Sequence, residues 1–353
     1  MKSVIRFVVA ILAVLPIAVT VEARQTPERL FYYADREASY QSLVANIEHI
    51  DAIGMTGLNV DEYGVVWGEL DPTVVQLAKD HGVSVHGLIK NPGFNQEILH
   101  NLLTNDRARA RAIASMVELA VRNGWTGIQF DFENINIEDR EAYTEFYRET
   151  AEALHDNDLT ISMAVVHRPD ELAGPTRYHA WLFENWRAGY DLEEIGRIGD
   201  FVSIMSYSQH TRRMPPGPQA GTPWVRDVVE YFLQHIPANK LSLGIPTGSQ
   251  HWYTSQEDKI QPEMARSYSA QLSHSWAIHL LERFNAPLLW SEEHEVPYAF
   301  FSNGGSFEWI FLEDARSFRS KLSIMDEYGL RGFSVWVLGN EDADIWQVLE
   351  ERR

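Results

Sequence analysis

Gly127-Ile128-Gln129-Phe130-Asp131-Phe132-Glu133 alternates apolar and polar residues from Ile128 to Glu133. In an extended strand successive side chains leave opposite faces, so Ile128, Phe130 and Phe132 share one face and Gln129, Asp131 and Glu133 the other. The apolar face suits packing beneath helices, which turns an amide and two carboxylates toward a sheet interior. Buried acids are costly unless paired or hydrogen-bonded, so two at i and i+2 are hard to justify by stability alone. A structural ion-pair network with Arg or Lys partners is the competing explanation. Two carboxylates this close titrate as a coupled pair, one ionised and the other holding its proton longer. A held proton is what cleavage of a glycosidic bond requires.

Outward from this stretch the chain alternates strands with amphipathic helices, the rhythm of a parallel sheet with helical crossovers. The expected strands are Arg29–Ala34, Thr56–Val60, Val83–Ile89, Gly127–Glu133, Leu159–Val166, Phe201–Tyr207, Leu241–Pro246 and Gly332–Leu338. A helix is expected from Arg107 to Arg122, with Ile113, Met116, Val117 and Ala120 on one face and Asn123-Gly124 as its stop. Another begins near Glu138 and carries Ala142, Tyr143, Phe146 and Tyr147. Eight strands in this order predict an α/β fold, a closed TIM (β/α)8 barrel, over residues 24–353. An open doubly wound sheet is the alternative, but no Gly-x-Gly-x-x-Gly turn follows the first strand. The rhythm breaks at residues 249–325, where a helical stretch (Met264 to Phe284) and short strands at Pro297–Phe301 and Phe307–Leu312 predict a small α+β insertion between strands 7 and 8. The irregular loop Arg212–Pro223 follows the sixth strand, where a barrel keeps active-site loops.

The 353 residues carry 50 acidic against 30 basic side chains, a formal net charge of −20, which argues against a nucleic-acid partner. Lys2 and Arg6 precede an apolar run from Phe7 to Val21 and then Glu22-Ala23, so residues 1–23 read as a cleaved signal peptide. The run is short for a membrane span. An exported chain, periplasmic or extracellular in a bacterium, is the expectation, with no stable membrane insertion after cleavage. The sequence has no cysteine, so it has neither disulfide nor thiolate metal site. Glu292-Glu-His-Glu295 lacks ligand spacing on a defined element, and the 13 histidines form no His-Glu-x-x-His motif, so neither metal nor cofactor is expected. No Gly-x-Ser-x-Gly elbow points to an esterase.

The 127–133 segment resembles the signature of glycoside hydrolase family 18, the chitinase family, whose pattern is Asp-x-x-Asp-x-Asp-x-Glu. Thr126 and Gln129 stand where the first and middle Asp would be. The resemblance implies that Glu133 protonates the glycosidic oxygen and that Asp131 orients the substrate's N-acetyl group, whose carbonyl oxygen is the nucleophile. Met205-Ser-Tyr207 is similar to the family's Met-x-Tyr, whose tyrosine bonds the N-acetyl carbonyl; Ser208 follows where the family has Asp or Asn. Leu243-Gly-Ile-Pro246 resembles the family's seventh strand, and Phe333-Ser-Val-Trp336 its eighth, whose Trp floors the sugar subsite. Ser208-Gln-His210, Trp290, Pro297-Tyr298 and Ser317-Phe-Arg-Ser-Lys321 are similar to the subgroup of bacterial spore cortex-lytic N-acetylglucosaminidases.

These matches imply a glycosidase cleaving glycans that contain N-acetylglucosamine, with chitin and peptidoglycan both satisfying the reading. Independently of the family, Glu133, Tyr207 and Trp336 all fall at expected strand C-termini, where barrel enzymes keep their active sites. Trp336 alone also fits core packing, and Tyr207 fits either role. Gln129, Met205, Tyr33 and Trp252 are further candidates for substrate binding; Asp35, Tyr63, Trp67, Lys90 and Asn91 lie near other strand ends. Two other functions remain open. One is a catalytically silent glycan-binding protein on the same barrel, motivated by Thr126, Gln129 and Ser208. The other is a glycosidase with Asp131 or another carboxylate as direct nucleophile.

Overall fold

In the computed structural model, which describes residues 26–211, 214–254 and 267–352, the alternation of the sequence becomes two concentric layers. Fourteen strands are present among these residues: β1 (Glu28–Tyr33), β2 (Ala52–Val60), β3 (Val66–Trp67), β4 (Ser84–Lys90), β5 (Gly127–Phe130), β6 (Thr160–Val166), β7 (Phe201–Met205), β8 (Leu241–Pro246), β9 (Ser249–Thr254), β10 (Ser267–Leu272), β11 (Leu289–Ser291), β12 (Val296–Asn303), β13 (Ser306–Phe311) and β14 (Gly332–Trp336). The order β1-β2-β4-β5-β6-β7-β8-β14 is parallel throughout, and β14 pairs back onto β1, closing the barrel. The short β3 lies antiparallel on the outer end of β2.

The outward residues of the strands meet the helices. At the end of β5 and just beyond it the rings of Phe130 and Phe132 lie 4.9 Å apart, and Phe130 meets Phe146 and Tyr147 of the helix Arg140–His155 at 5.3 Å each. Burying an aromatic ring of this size stabilises by roughly 2–3 kcal/mol, so this cluster fixes which face of β5 looks outward. The helix Asp106–Asn123 is capped by Asn105, whose side chain accepts from the amides of Arg107 and Ala108, and it stops at Gly124, φ 61°. Its buried face is Ala108, Ala112, Met116 and Ala120, with Ile113 and Val117 packed at the margin.

The inward residues mix small and polar side chains with a separate apolar cluster of Leu30, Tyr32, Leu88 and Phe201. Gln129 donates to Ser162 Oγ at 3.0 Å and to Ser203 Oγ at 3.4 Å. Gly54 leaves room for the ring of Tyr32: a Cβ there would stand 2.7 Å from Tyr32 Cδ1. β2 starts at Ala52, earlier than the expected Thr56. Gly54 thus admits a ring within β2, and Gly57 sits where the β2–β4 register shifts.

Three strands end sooner than expected. β5 stops at Phe130, β7 at Met205 and β14 at Trp336, each short of the expected end by two or three residues. The chain peels off the barrel wall there, and the residues beyond the last ladder bond form the mouth.

The insertion is a five-stranded antiparallel sheet, order β10-β9-β13-β12-β11, with the helix His274–Phe284 against one face. The expected helix from Met264 is corrected: residues 267–272 are strand β10, and the helix begins behind the Ser273 cap. Residue 325, the expected insertion boundary, falls inside the helix Ala315–Tyr328, which packs on β8, β12 and β14. The expected signal peptide, residues 1–23, lies outside the described residues.

Candidate active site

Beyond Phe130 the chain stays beside β4 for one more bond, Asp131 N to Ile89 O at 2.9 Å, and then turns away. Asn91, fully buried at the end of β4, takes hold of Glu133. Its Nδ2 donates to Glu133 O at 3.0 Å, and its Oδ1 accepts from Glu133 N at 3.3 Å. On the other side Tyr190 Oη donates to Phe132 O at 2.8 Å. Asn134 adopts φ 58°, a left-handed conformation that Asn tolerates, and its Nδ2 donates to Phe94 O at 3.0 Å. The main chain that carries the two acids is thus pinned by Asn91, which follows β4, and by Tyr190, in the segment between β6 and β7.

Their carboxyl groups are not pinned. Among the described residues neither carboxyl accepts a hydrogen bond or forms an ion pair, and both residues are half-buried. Burial pushes Asp131 up to about 7, against the positive charge of Lys90 at the end of β4. Burial, and then the charge of Asp131, push Glu133 up to about 8, again opposed by Lys90. Both shifts are upward and the groups titrate together, so a proton stays on the pair at neutral pH.

Burial, and then the nearby Tyr32, Asp131 and Glu133, hold the Tyr207 hydroxyl protonated. Two residues earlier β7 has ended at Met205, which is half-buried. Ser206 Oγ donates to Gly244 O at 2.7 Å and draws the chain against β8. That approach needs glycine: a Cβ on Gly244 would lie 2.0 Å from Ile204 O and 3.1 Å from the Tyr207 ring.

Trp336 ends β14, half-buried, with the Tyr32 ring against it, centroids 5.4 Å apart and planes at 60°. The Trp336–Val337 peptide is cis. Thr247 clamps this turn: its N donates to Trp336 O at 2.9 Å, its Oγ1 donates to Val337 O at 3.0 Å, and Val337 N donates to that Oγ1 at 2.9 Å. Asp131, Glu133, Tyr207, Tyr32 and Trp336 therefore converge from β5, β7, β1 and β14 on one mouth. A protonated acid, an acid beside it, a hydroxyl donor and an aromatic plate together can bind a sugar ring and deliver a proton to it.

Three candidates from the sequence belong elsewhere. Gln129 is fully buried beneath Asp131 and spends its amide on Ser162 and Ser203, so it supports the site from below without facing it. Tyr33 lies in the outer core between barrel and helices, and Tyr32, one residue earlier and equally buried, is the tyrosine that faces the barrel interior, against Trp336. Trp252 is 2% exposed, in the middle of the insertion sheet opposite Trp309 and Ser269. Tyr63 and Trp67 are exposed around β3, and Asp35 is exposed after β1. Thr247 is a contribution that the sequence reading missed, and Asn91, named there only as lying near a strand end, grips the main chain of Glu133. Their signal was position: each follows directly on the C-terminal end of a barrel strand.

With this geometry in place, the sequence profile described as Glycosyl hydrolases family 18 matches residues 30–341. The chain belongs to that family. A cortical fragment-lytic enzyme of Bacillus subtilis (strain 168) is 30% identical over 265 residues, 75% of this chain and 58% of that protein. The uncharacterized glycosylase YvbX of the same organism is 24% identical over 338 residues, 94% of this chain and 92% of its own. Among solved structures, a chitinase from Chromobacterium violaceum superposes with a TM-score of 0.82 at 24% identity, covering 92% of this chain and 98% of that one. The spore cortex-lytic enzyme SleL of Bacillus megaterium gives 0.80 at 23% identity, over 93% and 74%. At these identities the superpositions show a shared fold. This family-18 chain spans just over half the length of the cortical fragment-lytic enzyme and of the putative sporulation-specific glycosylase YdhD, 58% and 54%.

Proposed function

We propose that this family-18 chain is a glycosidase hydrolysing β-1,4 bonds in glycans that contain N-acetylglucosamine, by substrate-assisted retention. In this reading Glu133 protonates the bridging oxygen and later deprotonates the incoming water. Asp131 orients the N-acetyl group, Tyr207 bonds its carbonyl oxygen, and Trp336 carries the sugar face. The observation that carries the reading is the pair of unbonded, half-buried carboxyls at the barrel mouth, both shifted toward the protonated form. An acid of raised pKa is suited to donate its proton near neutrality.

Replacing Glu133 by Gln tests this. Turnover of N-acetylglucosamine oligomers should fall by about 10³-fold or more, while oligomer binding persists. Near-wild-type turnover in that variant would remove Glu133 from the chemistry. Oligomers without the 2-acetamido group should be inert, because they lack the nucleophile; their cleavage would favour a direct carboxylate nucleophile. The retained, accessible Glu133 speaks against a silent glycan-binding protein, and binding without turnover in the unmutated chain would restore that reading. Export to the periplasm or exterior through residues 1–23 is part of the proposal, tested by fractionating cells that produce the full chain.

A further inference from the structure

Lys90 ends β4, the strand beside β5, and its side chain has no part in the chemistry above. The register that sets Leu88 beside Gln129 and Ile89 beside Phe130 brings Lys90 level with Asp131, and the bond from Asp131 N to Ile89 O carries the pairing that far. Alternation along the strands then fixes its face. Ile89 and Phe130 lie in the outer core, whereas Leu88 belongs to the inner cluster and Gln129 bonds the inward serines. Lys90 and Asp131 therefore leave their strands on the inner side. Neighbouring strands run roughly 5 Å apart, which sets the lysine and the acid side by side at the mouth. On the other flank of Lys90, across β2, stands Asn59, which has no charge to offer.

Lys90 is half-buried, and among the described residues its ammonium makes no hydrogen bond and no ion pair. Its Nζ lies over the Phe94 ring, 5.2 Å from the centroid. Phe94 is itself fastened to the loop of the acids, its carbonyl accepting from Asn134 Nδ2 at 3.0 Å. A ring quadrupole attracts an ammonium without cancelling its charge, so the field of Lys90 still reaches the carboxyls. The other titratable groups that reach the pair are Tyr32 of β1, Tyr207 after β7, Tyr190 before β7 and Tyr143 of the helix Arg140–His155, and burial keeps all four protonated. Among the described residues Lys90 is thus the cation set against these acids. With one proton on the pair, lysine and acids together are neutral. A second proton leaves the mouth positive, and none leaves it negative. Away from bulk water the neutral combination is the most favourable.

We propose that Lys90 is a positioning residue for the proton that Asp131 and Glu133 share. Its ammonium makes a single proton the balanced state, leaving Asp131 ionised to orient the N-acetyl group while Glu133 keeps the proton to donate. The inference rests on the glycosidase reading above and deepens it. Lys90 acts through the two acids and needs no contact with substrate. Its charge opposes the upward push that burial gives to both, and so brings the singly protonated pair down to neutral pH.

The test is the pH profile of kcat/KM on an unactivated N-acetylglucosamine oligomer. In Lys90→Met the alkaline limb should move to higher pH by about one pH unit, the direction opposite to that expected of Asp131→Asn. In Lys90→Arg, which keeps a cation over the Phe94 ring, the limb should stay with that of the unmutated chain. Lys90→Gln repeats the first comparison with a polar side chain should the methionine variant not fold. A limb that stays in place when the charge is removed overturns the proposal, and so does a limb that moves equally in Lys90→Arg. A raised KM with an unmoved limb would put the ammonium on the substrate instead, which also overturns it.

A titration without turnover keeps the glycosidase reading separate. In a chain with isotope-labelled glutamate carboxyl carbons, Glu133 is the signal that Glu133→Gln removes, and NMR follows its midpoint. That midpoint should lie higher in Lys90→Met than in the unmutated chain. The shift in a chain that cleaves no oligomer would sink the glycosidase reading and leave the action of Lys90 on the acids standing. An unmoved midpoint in an active chain would sink the role of Lys90 alone.

Discussion

Asn91 holds Glu133 by both of its main-chain polar atoms, at 3.0 and 3.3 Å, while leaving its carboxyl group free. The acid is therefore positioned through the backbone, and its side chain is left free of protein partners among the described residues, as the proposed proton donor requires.

Asn91→Ala should reveal this. It leaves a buried amide and carbonyl short of partners, a cost of about 1–3 kcal/mol. It also lets the Glu133 loop drift from its position, and misplacement by an ångström is enough for a loss of about 100-fold in rate. The expected result is a lower kcat on N-acetylglucosamine oligomers with a smaller change in KM, read by steady-state kinetics beside a urea titration. A full kcat in a destabilised variant would make Asn91 purely structural.

The pH profile carries a second test. The charge of Asp131 is one of the two causes that raise Glu133, to about 8 in the unmutated chain. Activity on unactivated oligomers should fall on the alkaline side as Glu133 loses its proton near that value. In Asp131→Asn the charge is gone and only burial remains, so the alkaline limb of the residual activity should move to lower pH. A limb that stays in place, with the rate reduced, would mean that the two carboxyls do not titrate together.

Thr247 predicts a split between geometry and fold. Thr247→Val keeps the shape and removes both Oγ1 bonds to Val337, so the turn behind Trp336 loses its clamp. A buried N–H and C=O left unpaired cost about 1–3 kcal/mol, and a loosened aromatic plate should raise KM several-fold with a smaller effect on kcat. Thr247→Ser restores the hydroxyl and should recover most of the lost affinity. If Ser fails to rescue, the methyl group rather than the clamp matters.

The barrel and the two acids were legible because strand alternation and βα rhythm are local signals. The errors came where the choice depends on partners distant in sequence. Phe31-Tyr32-Tyr33 offers a bulky ring to either face, and only the pairing of β1 with β2 and β14 sends Tyr32 inward to Trp336 and Tyr33 outward to the helices. Gln129 shares a face with Asp131, so alternation could not show that it lies one layer deeper, bonded to serines of β6 and β7. Trp252 looked like a rim aromatic because its strand partners, Ser269 and Trp309, are brought to it only by the insertion sheet.

The mouth should also be written into the stability of the fold. Asp131 and Glu133 have folded pKa values of about 7 and about 8 against ordinary values of 3.8 and 4.5. Between the ordinary and the folded values the native state holds protons that the unfolded chain has released, so stability falls as pH rises through this window. His86 and His167 act oppositely: burial lowers them to about 4 and about 3, so they destabilise the fold as pH drops below 6.5. Total stability mixes the two, but the difference between Glu133→Gln and the unmutated chain cancels the histidines. That difference should be near zero at pH 4 and grow to favour the variant by several kcal/mol at pH 9, where the unmutated mouth must hold two buried charges. Denaturant titrations at the two pH values measure it. A difference that does not change with pH would mean that Glu133 is ionised in the fold at neutrality, and with it the proton donor would be lost.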